Sequence, residues 1–596
     1  MLFVVLEALA RRMRSSGEAA QVTPSGNDPG ELHGRRSATA VSVKVRAALR
    51  ARGAPPLSAH DDRAVRRAPF GLSTVARRVA ASVAGGAGLA LASPPLAWGW
   101  VGIPSLALLV ASLVRAPART ALALGGASGA VYMGVLTWWL QQSRGTGPWI
   151  GLVLVQSGWL ALAGVLTAVV TRLVLWPPYV AAVWSVAESL RASEPFGGFP
   201  WGRLGHTALD GPWEGLLPYL GVGVTGVALV SVAATVVWLA DGVQCLSTLA
   251  LRGVVLLGLI GLTLLPLTFP YKTPTAGVAS VGIVQGGVPG AGNDVARFAE
   301  RITDDHRRES ETLAAAIADG SVPVPDLVVW PESSVTRDPG AAPDVEQAIQ
   351  RSVDALGVPL LVGQISETDD PRFVRNQGVV RWPDEVTGLR AAAVYTKRHP
   401  VPFGEYIPFR SVLASLSPQL TQVPRDMLPG AGREPLRVGN LRIADAICFD
   451  VAYDDALEPQ IARGATVAVV QTSNAPFFGT DQLAQQFAIT RVKALTTGRS
   501  VVVASVNGIS GAIGADGTVL TELPVGPSAS TVVEVPLRAG LTPAIRWHTW
   551  LDATTFGVGG LGLAHTMAAM AASSRRGRLL LRWMRARRVD TAEAVS

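Results

Sequence analysis

Ile443-Ala444-Asp445-Ala446-Ile447-Cys448-Phe449-Asp450 opens as a short apolar run, has the texture of a strand buried in an α/β sheet, and ends on a cysteine. Strand ends that feed loops are where α/β folds place their reactive groups. Two more segments end in the same way. Leu327-Val328-Val329-Trp330-Pro331-Glu332-Ser333 is an apolar run that stops at proline and offers Glu332. Val394-Tyr395-Thr396-Lys397-Arg398-His399-Pro400-Val401-Pro402-Phe403-Gly404-Glu405-Tyr406-Ile407-Pro408 brings Lys397 and Glu405 after a third. Singly, each has an ordinary explanation. A carboxylate after a strand is usually solvated, a lysine marks a surface, and a lone cysteine is a small buried hydrophobe.

Together and in this order, the three segments resemble the signature of the nitrilase (carbon-nitrogen hydrolase) family. The chemistry explains why these residue types belong together. A thiol must lose its proton to attack an acyl carbonyl, a carboxylate can take that proton, and an ammonium can stabilise the developing oxyanion. The expected roles are Cys448 as nucleophile, Glu332 as general base and later general acid, and Lys397 as oxyanion stabiliser.

Around these segments, residues 278 to 537 alternate short β-branched runs with helical stretches, the pattern of a soluble α/β domain. Strands are expected at 279–284, 327–330, 360–363, 391–395, 442–447, 466–471, 500–506 and 531–535, and helices at 294–318, 344–356, 452–463 and 481–497. The glycine-rich stretch Gly508 to Gly517 lacks the Lys-Ser/Thr ending of a phosphate loop and reads as a hairpin turning at Ala515-Asp516-Gly517.

The rest of the chain is too apolar for a soluble protein: 49% of its 596 residues are hydrophobic and 16% charged. A membrane span needs roughly 20 apolar residues. Candidate stretches lie at about 79–97, 100–114, 120–140, 150–171, 177–192, 214–240 and 252–270, with a last one at 553–572 after the α/β region. Arg77, Arg78, Arg115, Arg119, Arg172 and Arg252 fall on one side if the crossings alternate, and the arginines after Arg575 return to that side. The positive-inside bias makes that side cytoplasmic and puts the α/β domain outside. The expected organisation is a disordered basic tail (1–75), a seven-helix membrane domain (76–272), a catalytic domain (273–545), a C-terminal membrane helix (546–574) and a second basic tail (575–596). Trp547 and Trp550 suit an interfacial anchor.

Seven helices before a nitrilase-type domain and one after it resemble the apolipoprotein N-acyltransferase family. Supporting segments are Glu188-Ser189-Leu190-Arg191, Gly198-Phe199-Pro200-Trp201, Ile283-Val284-Gln285-Gly286, Thr472-Ser473-Asn474-Ala475-Pro476-Phe477-Phe478-Gly479 and Val401-Pro402-Phe403-Gly404-Glu405. The resemblance implies an αββα sandwich outside the plasma membrane and no cofactor or metal. It also implies transfer of a fatty acyl chain from a phospholipid, through a thioester on Cys448, to the N-terminal amine of a diacylglyceryl-cysteine lipoprotein. Glu405 matches a further essential carboxylate that would orient Lys397, with Phe449 and Asp450 as supporting residues. Gln285, Arg191, Asn474 and Phe478 are expected to contact substrate, Arg191 at the lipid headgroup. Where the family commonly has Tyr-Glu after the nucleophile, this chain has Phe449-Asp450, and Ala475-Pro476-Phe477 replaces Asp-Ala-Trp.

Other function classes fit less well. The net charge of +8 gathers near the termini and in short inter-helix stretches rather than in a nucleic-acid-binding patch. Two cysteines, Cys245 and Cys448, give neither a disulfide framework nor a zinc spacing, and His206, His399 and His565 form no ligand set. Cys245 reads as inert. The rivals are a membrane-anchored amidase or nitrilase, in which water takes the acyl group, and a non-enzymatic scaffold. A monomer is expected.

Overall fold

The computed structural model describes residues 75–241, 246–290, 294–295, 297–383, 393–413 and 423–573. Cys245, the N-terminal tail and the basic stretch after Arg575 lie outside them.

Helices occupy each expected apolar stretch: α1 (Val75–Ala92), α2 (Gly102–Leu113), α3 (Ala118–Leu136), α4 (Trp138–Arg144), α5 (Thr146–Val170), α6 (Pro177–Ser193), α7 (Leu217–Ala240) and α8 (Leu246–Leu264). Among the described residues, four are long and apolar enough to cross a membrane, and a fifth is if α3 and α4, bent by 55° at their junction, count as one span. Two of the seven spans expected before the α/β region fall short: α2 lies in a shorter apolar helix, and α6 has 17 residues and carries Glu188 and Arg191. The bundle closes through small residues, which let helix backbones approach each other. A Cβ on Gly125 would lie 2.5 Å from Leu160 O, so α3 and α5 touch main chain to main chain.

The α/β region is a sandwich of two sheets. The first runs β13-β1-β2-β3-β4-β5, with β6 beside β4, using β1 (Thr275–Gln285), β2 (Leu327–Val329), β3 (Leu360–Glu367), β4 (Phe373–Arg381), β5 (Val394–Thr396), β6 (Asp426–Met427) and β13 (Ala529–Arg538). The second runs β12-β11-β10-β9-β8-β7, using β7 (Leu436–Val438), β8 (Leu441–Ile447), β9 (Val467–Thr472), β10 (Val501–Ser505), β11 (Gly511–Ile513) and β12 (Val519–Glu522). Both sheets have a parallel centre, β1-β2-β3 and β8-β9-β10, flanked by antiparallel strands. Parallel strands are covered on both faces, hence their continuous apolar runs.

Ile283, Val329, Leu361, Ile443, Ile447, Val469 and Val502 fill the space between the sheets. Outside the first sheet lie α9 (Ala299–Ala318) and α10 (Pro343–Leu356), and outside the second lie α11 (Asp454–Ala462) and α12 (Gln482–Thr497). The layers are therefore αββα. The core outside the second sheet is continuous with the bundle: Ala446, Val451, Ile489 and Ala494 belong to the same buried cluster as Leu109, Met133, Trp184 and Leu229. A final helix, α13 (Pro543–Ser573), packs on α6 and α7. It is not among the helices apolar enough to cross, because glycines, threonines and His565 dilute the apolar stretch after Asp552.

Candidate active site

Glu332 follows the end of β2 and is 3% exposed. Its Oε1 accepts from Lys397 Nζ at 2.9 Å and from Asn376 Nδ2 at 2.8 Å, and its Oε2 accepts from the Ser473 N–H at 2.9 Å. Donors after β5, on β4 and after β9 thus fix one carboxylate. This requires main chain against main chain at Gly363 of β3, where a Cβ would lie 2.1 Å from Pro331 O and 2.7 Å from Glu332 Cα.

Lys397 is 1% exposed and also donates to Glu405 Oε1 at 2.6 Å, while Glu405 Oε2 accepts from the Val401 N–H at 2.8 Å. Burial alone would lower the lysine pKa, but the charges of Glu332 and Glu405 outweigh it and hold the ammonium well above its ordinary value. Burial lifts Glu405 above the usual carboxylate range although Lys397 pulls the other way.

Cys448 opens a 3₁₀ turn (Cys448–Ala452) directly after β8, with φ +52°. A non-glycine residue in this left-handed region costs about 1–3 kcal/mol and tends to mark a working position. Its Sγ lies 4.0 Å from Gln486 Oε1. Burial, and then the charge of Glu332, push the thiol up to about 12, against the pull of Lys397. A thiol held in this way is a weak nucleophile unless a neighbouring base takes its proton.

The two residues after Cys448 lock its surroundings. Asp450 is fully buried and accepts from Tyr395 Oη at 2.7 Å, the His399 N–H at 2.7 Å and the Arg398 N–H at 3.2 Å, tying the lysine loop to the cysteine turn. The Phe449 ring lies near-parallel to Phe199 at 6.1 Å and Trp201 at 6.4 Å, both from the loop after α6. Asn474, at φ +52°, donates to Gln482 Oε1 at 2.9 Å and Gln486 Oε1 at 2.8 Å, backing the sulfur with buried amides.

The sandwich joins the bundle through α12. Gln485 Oε1 accepts from Trp139 Nε1 at 3.0 Å and Trp201 Nε1 at 2.7 Å, and its Nε2 donates to Leu136 O at 2.9 Å. Asp454 is flanked by Arg203 at 2.7 Å and by Lys493, and these charges hold it well below the usual carboxylate range despite burial. Arg203 and Asp454 line a small polar pocket with Glu458, His548 and Asp552.

Two expected substrate contacts lie elsewhere. Arg191 is 1% exposed and donates to Phe199 O, Trp201 O and Gly202 O at 3.0, 2.7 and 3.1 Å, so it shapes the loop after α6. Gln285 is fully buried, donating to Pro524 O and Pro527 O, both at 2.8 Å, and accepting from Ser510 Oγ at 2.7 Å. Phe478 is half-buried beside Gly526. Sequence reading missed Asn376, Ser473 and Gln486. The repeat of glutamine at 482, 485 and 486 on one expected helix was a legible sign for the last.

A two-sheet sandwich with a buried carboxylate, a buried ammonium and a half-buried thiol at its strand ends, docked on apolar helices, defines a membrane-embedded enzyme of the carbon-nitrogen hydrolase type. The family described as Carbon-nitrogen hydrolase matches residues 307–542, and the Apolipoprotein N-acyltransferase N-terminal domain matches residues 85–235. The chain is 29% identical over 540 residues to the apolipoprotein N-acyltransferase of Mycolicibacterium smegmatis, covering 86% of this chain and 88% of that protein. It is 30% identical over 530 residues to that of Bordetella bronchiseptica, covering 80% and 95%. It is 30% identical over 526 residues to that of Ralstonia nicotianae, covering 82% and 92%. The chain belongs to the apolipoprotein N-acyltransferase family and is an acyltransferase.

Proposed function

We propose that this enzyme takes a fatty acyl chain from a phospholipid onto Cys448 as a thioester and passes it to the N-terminal amine of a diacylglyceryl-cysteine lipoprotein, on the extracytoplasmic face of the plasma membrane. The supporting observation is the buried Lys397 ammonium bridging Glu332 and Glu405 beside the strained Cys448, in a domain whose core runs into an apolar bundle. A lipid donor explains that union; a soluble amide would need no bilayer.

Glu332 takes the thiol proton as Sγ attacks the ester carbonyl, and Lys397 stabilises the oxyanion. Collapse breaks the acyl C–O bond, and the lysophospholipid leaves with the proton held by Glu332. The acceptor amine then attacks the thioester, Glu332 accepts its proton, and the thiolate is reprotonated as the amide forms. Sidedness follows from the arginines at the helix ends, and the active unit is a monomer. In Cys448→Ser, lipoprotein N-acylation is lost while the protein still inserts and folds. Mass spectrometry of lipoprotein N-terminal peptides from cells carrying only that variant tests this, and undiminished triacylation refutes the assignment. Capture of an acyl thioester on the wild-type protein is the complementary positive result.

A further inference from the structure

We propose that Asp445 is a neutral, proton-bearing acid that donates a hydrogen bond to Gln471 and through it positions the strand end that carries Glu332. This rests on the reading of Glu332 as the base.

Asp445 on β8 and Gln471 on β9 lie on strand faces turned into the space between the sheets, alongside Ile443, Ile447 and Val469. Both are fully buried. Neither oxygen of Asp445 has a hydrogen-bond partner, and neither does Gln471 Oε1. Asp445 Oδ2 and Gln471 Oε1 lie 2.3 and 2.4 Å from the point a Cβ on Gly378 of β4 would occupy, so the two oxygens flank one small volume kept open by a glycine.

Two unpartnered acceptors bordering one small volume in an apolar layer need a proton between them. The glutamine cannot supply it by turning over. Its Nε2 donates to Trp330 O at 2.5 Å, and a flipped amide would set its oxygen against a carbonyl that only accepts. The proton is therefore on Asp445. Its charged form is disfavoured by burial and by the neighbouring charge of Asp450. The chain then runs from Asp445 through Gln471 to Trp330 O, two residues before Glu332. An apolar residue at 445 would release the glutamine amide and the Trp330 carbonyl it holds.

Difference infrared spectroscopy at neutral pH on the full-length protein in detergent tests this by comparing wild type with Asp445→Asn. The expected result is a protonated-carboxyl C=O band, sensitive to deuterium exchange, that the variant lacks; loss of an ionised-carboxylate band instead overturns the proposal. In acyl transfer, Asp445→Asn retains a donor toward Gln471 and keeps kcat within about threefold, whereas Asp445→Leu lowers kcat roughly tenfold or more at unchanged KM. An Asn variant as impaired as the Leu variant overturns the positioning role. Should Glu332→Gln stay active, the reading of the base fails, while the infrared band still reports on Asp445.

Discussion

Gly363→Ala is the sharpest test of how the sandwich holds its carboxylate, because it touches no reacting atom. Gly363 has an ordinary backbone conformation, so alanine is excluded by space alone. The new methyl would lie 2.1 Å from Pro331 O, against an ordinary contact of 3.4 Å or more, and both neighbours are main chain with no flexible end to swing aside. The strand end bearing Glu332 must retreat by about an ångström, at an overpacking cost of about 1–3 kcal/mol. A misplacement of that size costs on the order of 100-fold in turnover, or about 2.7 kcal/mol of barrier. The expected outcome is a folded, inserted protein whose kcat for acyl transfer falls about 100-fold with KM little changed. Thermal unfolding in detergent separates the two costs. Wild-type turnover in a variant that melts normally would refute the claim that this contact sets the position of the base.

Three further outcomes follow from the seam. Gln485→Leu strands the indole N–H groups of Trp139 and Trp201 and the Leu136 carbonyl, at about 1–3 kcal/mol per buried group, and should appear as a lowered melting temperature. Asp454→Ala leaves Arg203 and Lys493 without their shared partner and should destabilise by roughly 3–5 kcal/mol in the same assay. Burial and then the charge of Asp454 push Glu458 up to about 7, so the folded state binds more protons than the unfolded one between an ordinary glutamate pKa, about 4.3, and that value. Its contribution to stability is present below that window and lost as pH rises through it; Glu458→Gln should flatten the slope of melting temperature against pH there, and an unchanged slope would count against it.

Much of the sandwich was legible because parallel strands buried on both faces leave continuous apolar runs, and β8 and β9 lie within a residue of their expected limits. β4 was invisible for a functional reason. Its stretch Phe373-Val374-Arg375-Asn376-Gln377-Gly378 was not among the expected strands, yet Asn376 is there to donate to Glu332 and Gly378 to leave room for Asp445 and Gln471. Local propensity fails where a site overrides it. Glu332, Lys397 and Cys448 could be singled out because their three segments, in that order, resemble the nitrilase signature; residue type alone would not have sufficed. Asn376, Ser473 and Gln486 act through an amide or a backbone N–H, which almost any sequence offers. What Arg191 holds was not legible either, because the carbonyls its guanidinium organises are brought to it only by the fold of the loop after α6.

The Gln485 junction bears on how the molecule comes into being. Trp201 leaves the ribosome 284 residues ahead of the glutamine that receives its indole proton, and Leu136 waits 349 residues for the same side chain. The aromatic wall made early in synthesis therefore has no polar partner until nearly the whole catalytic domain has been translated. A chain cut short before α12 is not a smaller enzyme but an unfinished one, its bundle holding indoles whose acceptor was never made.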